Sequence, residues 1–319
     1  MGGWSGAVSR AVALATAGVL IFGQLTAFAW GSNGHMWINR VAAEKIPATM
    51  PKFLRTKSAE ERIAYLGPEP DRWREVGSSA LNQSQAPDHF IDLERIEGLG
   101  DLPKGRYDFY KLLYAKRAAT TTHADDYLPE RVGLQPYIAE EVFERLEVAF
   151  RNYRAFIQSK QKTGAVEADI IFYMGWLGHY VADASQPLHT TVNYDGWVED
   201  NPNGYTTEHG IHALFETDFV NRNVTPKSFK GLVHAPERVA SPFSDYIKYL
   251  WATHALVPDV YEFEKKQAFD GAGTPESVKF VDQRLAAGSQ MLVNLWYTAW
   301  LQSGEPLPAP PPPAAKPLN

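Results

Sequence analysis

Cysteine is absent from the 319 residues. That excludes disulfides and thiolate metal ligands, so the chain must rest on its core and on any metal it holds through nitrogen and oxygen. Beyond residue 29 no uninterrupted apolar run approaches the roughly 18 residues of a membrane span. Basic clusters are missing too: 31 Lys and Arg stand against 37 Asp and Glu, a formal net charge of −6, with no basic stripe. Electrostatics alone therefore offers no nucleic-acid footprint. No fixed-period repeat recurs, and strand signals are weak.

What is present is a globular composition, 45% hydrophobic and 21% charged, with 13% aromatic residues to build a sizeable core. Residues 1–29 carry one basic residue, Arg10, then an apolar run that ends in Ala27-x-Ala29. That pattern fits a cleavable export signal better than an anchor. Cutting after Ala29 would make Trp30 the first residue of a secreted or periplasmic protein with no stable membrane anchor. Helical periodicity dominates the rest. In 136–161, Ile138, Val142, Leu146, Phe150, Tyr153 and Phe156 recur at steps of three and four. Residues 167–186 are apolar nearly all round, which predicts a central buried helix stopping before Pro187. Further helices are expected near 34–47, 58–66, 108–120, 208–222, 240–256 and 274–302, with loops over 67–105 and 190–207. The expectation is an all-α fold: one multi-helix domain over 30–304 and a proline-rich, disordered tail over 305–319.

The central helix carries an anomaly. His179 and Asp183 lie four apart, so both project from one face of a helix that is otherwise apolar. Burying an imidazole and a carboxylate is costly unless they bond each other or share a cation. His189 follows just past Pro187, and His212 with Glu216 forms a second pair at the same spacing. His35, Asp71 and His89 lie upstream in turn-rich sequence. One such pair is an ordinary core hydrogen bond; two pairs with several further histidines fit a metal site. Imidazole and carboxylate without thiolate suits zinc.

The ordered set Trp30-x4-His35, Asp71, His89-Phe90-x-Asp92, His179-x3-Asp183-x5-His189 and His212-x3-Glu216 resembles the three-zinc phosphodiesterase superfamily. It comprises the bacterial zinc-dependent phospholipases C and the single-strand-specific zinc nucleases. The likeness covers about 30–220 and implies an all-α fold holding three Zn²⁺. It implies one zinc on Asp71, His89, His179 and Asp183, and a second on His189, His212 and Glu216. A third would sit on the Trp30 α-amino nitrogen and carbonyl, His35 and Asp183. Asp88, beside His89, competes with Asp71, and Asp71 is the favoured assignment. Three Zn²⁺ against three carboxylates leave positive charge for a phosphodiester. Zinc there would acidify a water, and Asp71 would orient or deprotonate it.

Within the superfamily the signals divide. The Trp30-to-His35 spacing, the 23 positions from His189 to His212 and the "HFID" at 89–92 favour a nuclease. Phe90 would then stack on a base and Asp92 would bond its edge. Glu216, where nucleases usually carry Asp, and the "HMWINRV" from His35 lean toward phospholipase C. The 93–135 segment is longer than in either group. The expected substrate is single-stranded nucleic acid or a nucleotide, with phospholipid as the alternative and no obligate protein partner. A non-catalytic zinc-binding envelope protein is the alternative of another class. Trp176, Tyr194, Trp197 and Tyr205 are expected in core or loop packing, and Arg72 and Arg74 as a solvated pair.

Overall fold

Capping residues set where the helices begin. Thr56 accepts a hydrogen bond from the Ala59 amide, and Thr274 one from Ser277, while Pro136, Pro242 and Pro275 occupy first turns, where a missing N–H costs nothing. The computed structural model describes residues 30–75, 77 and 79–307. The expected export signal and most of the proline-rich tail lie outside the described residues. Helices α1 (Gly31–Glu44), α2 (Lys57–Leu66), α3 (Glu69–Glu75), α4 (Ser79–Gln85) and α5 (Leu93–Ile96) come first. They are followed by α6 (Arg106–Ala118), α7 (Pro129–Val132), α8 (Gln135–Gln158) and α9 (Gly164–Asp183). Then come α10 (Ile211–Ala213), which runs directly into a π-helical stretch, Leu214–Phe219, then α11 (Val220–Asn223) and α12 (Pro226–Phe229). Finally α13 (Pro242–His254), α14 (Val257–Lys265) and α15 (Pro275–Gln302) complete an all-α fold. Among the described residues extended pairing is limited to two isolated bridges, Ile91–Gly133 and Tyr194–Gly196.

Helix α9 is the axis of the molecule. It packs against α1, α2, α8 and α15, which is why its sequence is apolar on every side. Close approach is set by two glycines. A Cβ on Gly175 would fall 2.3 Å from the Leu66 Cβ, and one on Gly178 would fall 1.8 Å from Asn39 Oδ1. The room they leave admits Asn39, whose Nδ2 donates to the carbonyls of Ile63 (2.9 Å) and Gly175 (3.0 Å). One side chain of α1 thus ties α2 and α9 together. The periodic residues Ile138, Val142, Leu146 and Phe150 of α8 are buried, with Tyr153 and Phe156 packed at the edge.

Two regions differ from the expectation. The 67–105 stretch contains α3, α4 and α5, short helices too brief for periodicity to register. The 208–222 segment is helical but widened over Leu214–Phe219. Widening of this kind is frequent at functional sites, and here it buries Phe215, Glu216 and Phe219 together.

Candidate metal centre

The last two turns of α9 bring its two polar residues to the centre of the molecule, where His179 and Asp183 are fully buried. Asp183 turns its two oxygens in different directions. Oδ1 lies 3.3 Å from His35 Nε2, while Oδ2 lies 3.4 Å from both His89 Nδ1 and His179 Nε2. Asp71, from α3, sits across from it at 3.7 Å from His89, 3.8 Å from His35 and 3.9 Å from His179. The His35 and His179 rings stack at 4.2 Å. His189 Nε2, His212 Nε2 and Glu216 Oε2 gather beside this group, with His212 2.9 Å and His189 3.6 Å from the carboxylate.

Backbone carbonyls aim the rings. Nδ1 of His179 donates to Gly67 O, that of His189 to His89 O and that of His212 to Tyr194 O, at 2.9, 2.7 and 2.9 Å. Each bond leaves Nε2 directed inward, the outer-sphere arrangement that fixes a metal-ligating histidine. Gly67 and the Tyr194 carbonyl have no signal in a residue-type search. Gln186, which donates to Glu216 Oε2 at 3.1 Å, was within reach, since it lies between Asp183 and His189.

The residues fit bound metal. His35, Asp71 and His179 form one group, His89, His179 and Asp183 a second, and His189, His212 and Glu216 a third, each offering donor atoms within 4.8 Å of one another. Both Asp183 oxygens, His89 Nε2 and Glu216 Oε1 are buried without a hydrogen bond. Imidazole nitrogens also face each other at 2.9 Å (His89 and His179) and 3.2 Å (His189 and His212). Buried polar atoms are seldom left this way unless an ion completes them. Burial pushes Asp183 well above the usual carboxylate range, and the charges of Asp71 and Glu216 push it further. Burial likewise holds His89 and His179 well below the usual imidazole range, reinforced by neighbouring cationic groups. Neutral imidazoles are the state a cation needs, and a bound cation would displace the proton from Asp183.

Asp88 goes elsewhere. Its Oδ1 accepts from Arg106 Nη1 at 3.1 Å, and burial raises it to about 6 despite that partner. Trp30 is fully buried in the left-handed region (φ 50°), with its indole donating to Ala182 O and Ser185 Oγ, both at 2.9 Å. Its backbone nitrogen donates to Glu216 Oε2 at 3.2 Å. The peptide nitrogen can donate only a hydrogen bond, and Glu216 is the carboxylate within its reach.

A cavity of about 680 Å³ opens onto the centre, lined by His89, His189 and His212 together with Phe90, Asp92, Tyr194, Arg74, Arg95 and Arg131. Burial, assisted by Glu94, raises Asp92 to about 8. Phe90 and Asp92 thus share the cavity with His89, His189 and His212. Tyr194, expected in packing, is 56% exposed at its rim, while Tyr205 is buried and Trp176 and Trp197 are half-buried. Arg72 is bound to Glu69 at 2.7 Å, whereas Arg74 lines the cavity.

A profile of the S1/P1 nuclease family matches residues 30–286. The chain belongs to the S1/P1 nuclease family. That family is zinc-dependent, and the buried His, Asp and Glu groups of this chain are suited to such a metal. No curated protein matches the chain. Among solved structures it is similar to the alpha-toxin of Clostridium perfringens from avian strain SWCP, at 14% identity and a TM-score of 0.39. That likeness covers 86% of this chain, and the chain spans 64% of the toxin structure.

Proposed function

We propose that this chain is a secreted or periplasmic, zinc-dependent nuclease acting on single-stranded nucleic acid. The observation that carries this reading is the single cavity that joins Phe90 and Asp92 to His89, His189 and His212. Asp71, His89, His179 and Asp183 would hold one zinc, His189, His212 and Glu216 a second, and Trp30, His35 and Asp183 a third. When bound, the metal supplies Lewis acidity toward a phosphodiester and an acidified water. Asp71 would be placed to orient the attacking water or take its proton. Phe90 stacks on a base beside the scissile phosphate, and Asp92, holding its proton below about pH 8, donates to the base edge. Stacking is sequence-tolerant but requires an unpaired base, which selects single strands. Arg74 adds positive charge to the same wall.

Residues 1–29 act as the export signal on this reading, and cleavage after Ala29 turns the Trp30 nitrogen into a free amine at the centre. The domain would span 30–304. A protein fused ahead of Trp30 is expected to lose one zinc and most activity; three metals and full activity in the fusion would contradict the Trp30 assignment. The direct test offers single-stranded DNA, RNA and phosphatidylcholine vesicles in parallel, with and without chelator. Chelator-sensitive cleavage of the nucleic acids supports the proposal, and hydrolysis of lipid alone would replace it with phospholipase C.

A further inference from the structure

Part of the 93–135 segment lines the substrate cavity. Its far end pairs with the stretch that carries His89 and Phe90. The Asp92 amide donates to Val132 O at 2.7 Å, Leu134 to Pro87 O at 2.6 Å and Gln135 to Phe90 O at 3.2 Å. Arg106 of α6 clamps both Asp88, next to His89, and Glu141 of α8 (2.9 Å to the latter). The segment is therefore fixed relative to the centre from two sides.

What it adds to the cavity wall is positive charge. Arg95, Asp126 and Arg131 all line the cavity. Asp126 holds Arg95 at 2.6 Å and lies 3.7 Å from Arg131, so two guanidinium groups share one carboxylate. One positive charge is left over. Arg131 is 59% exposed and Arg95 34% exposed, so N–H donors remain open to a ligand. Planar guanidinium forks in this state are suited to phosphate oxygens, which they bind through paired, charge-assisted hydrogen bonds.

We propose that Arg95 and Arg131 form a phosphate subsite for the phosphodiester adjacent to the one that is cut. Asp126 is the positioning residue that holds the pair toward the cavity. This rests on the nuclease reading, because only a polynucleotide presents a second phosphodiester at a fixed repeat from the first. The 93–135 segment then makes the enzyme favour strands over mononucleotide esters.

The test compares an oligothymidylate with thymidine 5′-(4-nitrophenyl phosphate), which carries one phosphodiester, using the zinc-loaded protein. Arg131→Gln and the Arg95→Gln/Arg131→Gln pair should raise KM for the oligonucleotide by about five- to tenfold, with kcat nearly unchanged. The one-phosphate ester should be hydrolysed as by the unsubstituted protein. The salt dependence of oligonucleotide kcat/KM should become shallower by about 0.7 in log–log slope, the value for one phosphate contact on a single strand. Arg131→Lys should retain part of the effect, and Arg117→Gln, on the same segment but paired with Asp125 at 2.7 Å, should change nothing. Equal loss on both substrates, or no loss on either, would overturn the subsite. If the unsubstituted protein hydrolyses phosphatidylcholine vesicles and leaves the oligonucleotide intact, the nuclease reading itself fails and the subsite with it.

Discussion

Around Asp183 the centre buries two carboxylates among His35, His89 and His179, and both Asp183 oxygens lack a hydrogen bond. Around Glu216 it buries one carboxylate between His189 and His212, and Oε2 accepts from the Trp30 amide and from Gln186. Burial is the same on both sides, and its outcome is opposite. Asp183 is pushed well above the usual carboxylate range because burial and Asp71 act together. Glu216 is pushed up by burial as well, but His212 and His189 outweigh it and bring it to about 2. The same pairing raises His212 in spite of its burial. In the Glu216 group the neighbouring imidazoles favour the charged carboxylate, whereas in the Asp183 group burial and the neighbouring carboxylates favour the protonated acid. An uncompensated buried charge costs far more than a paired one, so a bound cation would stabilise the Asp183 group more than the Glu216 group.

Substitution at Asp183 should have the largest effect. Asp183→Asn replaces a carboxylate oxygen that faces the histidines with an amide nitrogen and is expected to lower kcat/KM for single-stranded DNA by at least ~100-fold, the upper range for loss of a supporting outer-sphere group. Elemental analysis should show reduced zinc. Phe90→Ala, which leaves the donors intact, should raise KM by the worth of one stacked base, about 1–3 kcal/mol, at unchanged zinc content.

Thermal unfolding of metal-free protein gives a difference in sign. Asp183→Asn removes a carboxyl that burial and Asp71 force to take up a proton in the metal-free fold, and should unfold at a higher temperature than metal-free unsubstituted protein. Glu216→Gln breaks the ion pair with His212 and should unfold at a lower one. Each change is expected to be about 1–3 kcal/mol, and shifts of the same sign would erase the distinction between the two groups. Acid provides a related check. Because Glu216 is depressed to about 2 from 4.5, its contribution is present above pH 4.5 and is lost as pH falls toward 2. Metal-free Glu216→Gln should therefore lose less stability over that interval than the unsubstituted protein.

Asp92 gives the smallest effect. With its carboxyl raised to about 8, it is protonated at neutral pH and donates. KM for single-stranded DNA should rise as pH passes 8, and Asp92→Asn should leave KM unchanged at pH 6 and abolish that rise. The sign for stability follows from the raised value: the contribution is complete below pH 3.8, the ordinary value, and is lost as pH rises through about 8.

The all-α class and the central position of α9 were legible because strand signals are weak and a helix apolar nearly all round must be buried on most sides, with His179 and Asp183 interrupting it at one point. The gathered histidines and carboxylates were legible through the family likeness, not through spacing alone. Asp71 and Asp88 are chemically equivalent in sequence; only the fold turns one toward His35, His89 and His179 and the other toward Arg106. The contact between the Trp30 nitrogen and Glu216 and the carbonyls that aim the rings depend on long-range packing, which no local pattern encodes. Likewise the 93–135 segment read as an extra length of chain, because its place on the cavity is set by backbone pairing with 87–92.

The most direct test follows single-stranded DNA hydrolysis as chelated protein is titrated with Zn²⁺. The account predicts no turnover in the chelated protein and recovery that requires more than one zinc per chain. Turnover unchanged by chelation would contradict it.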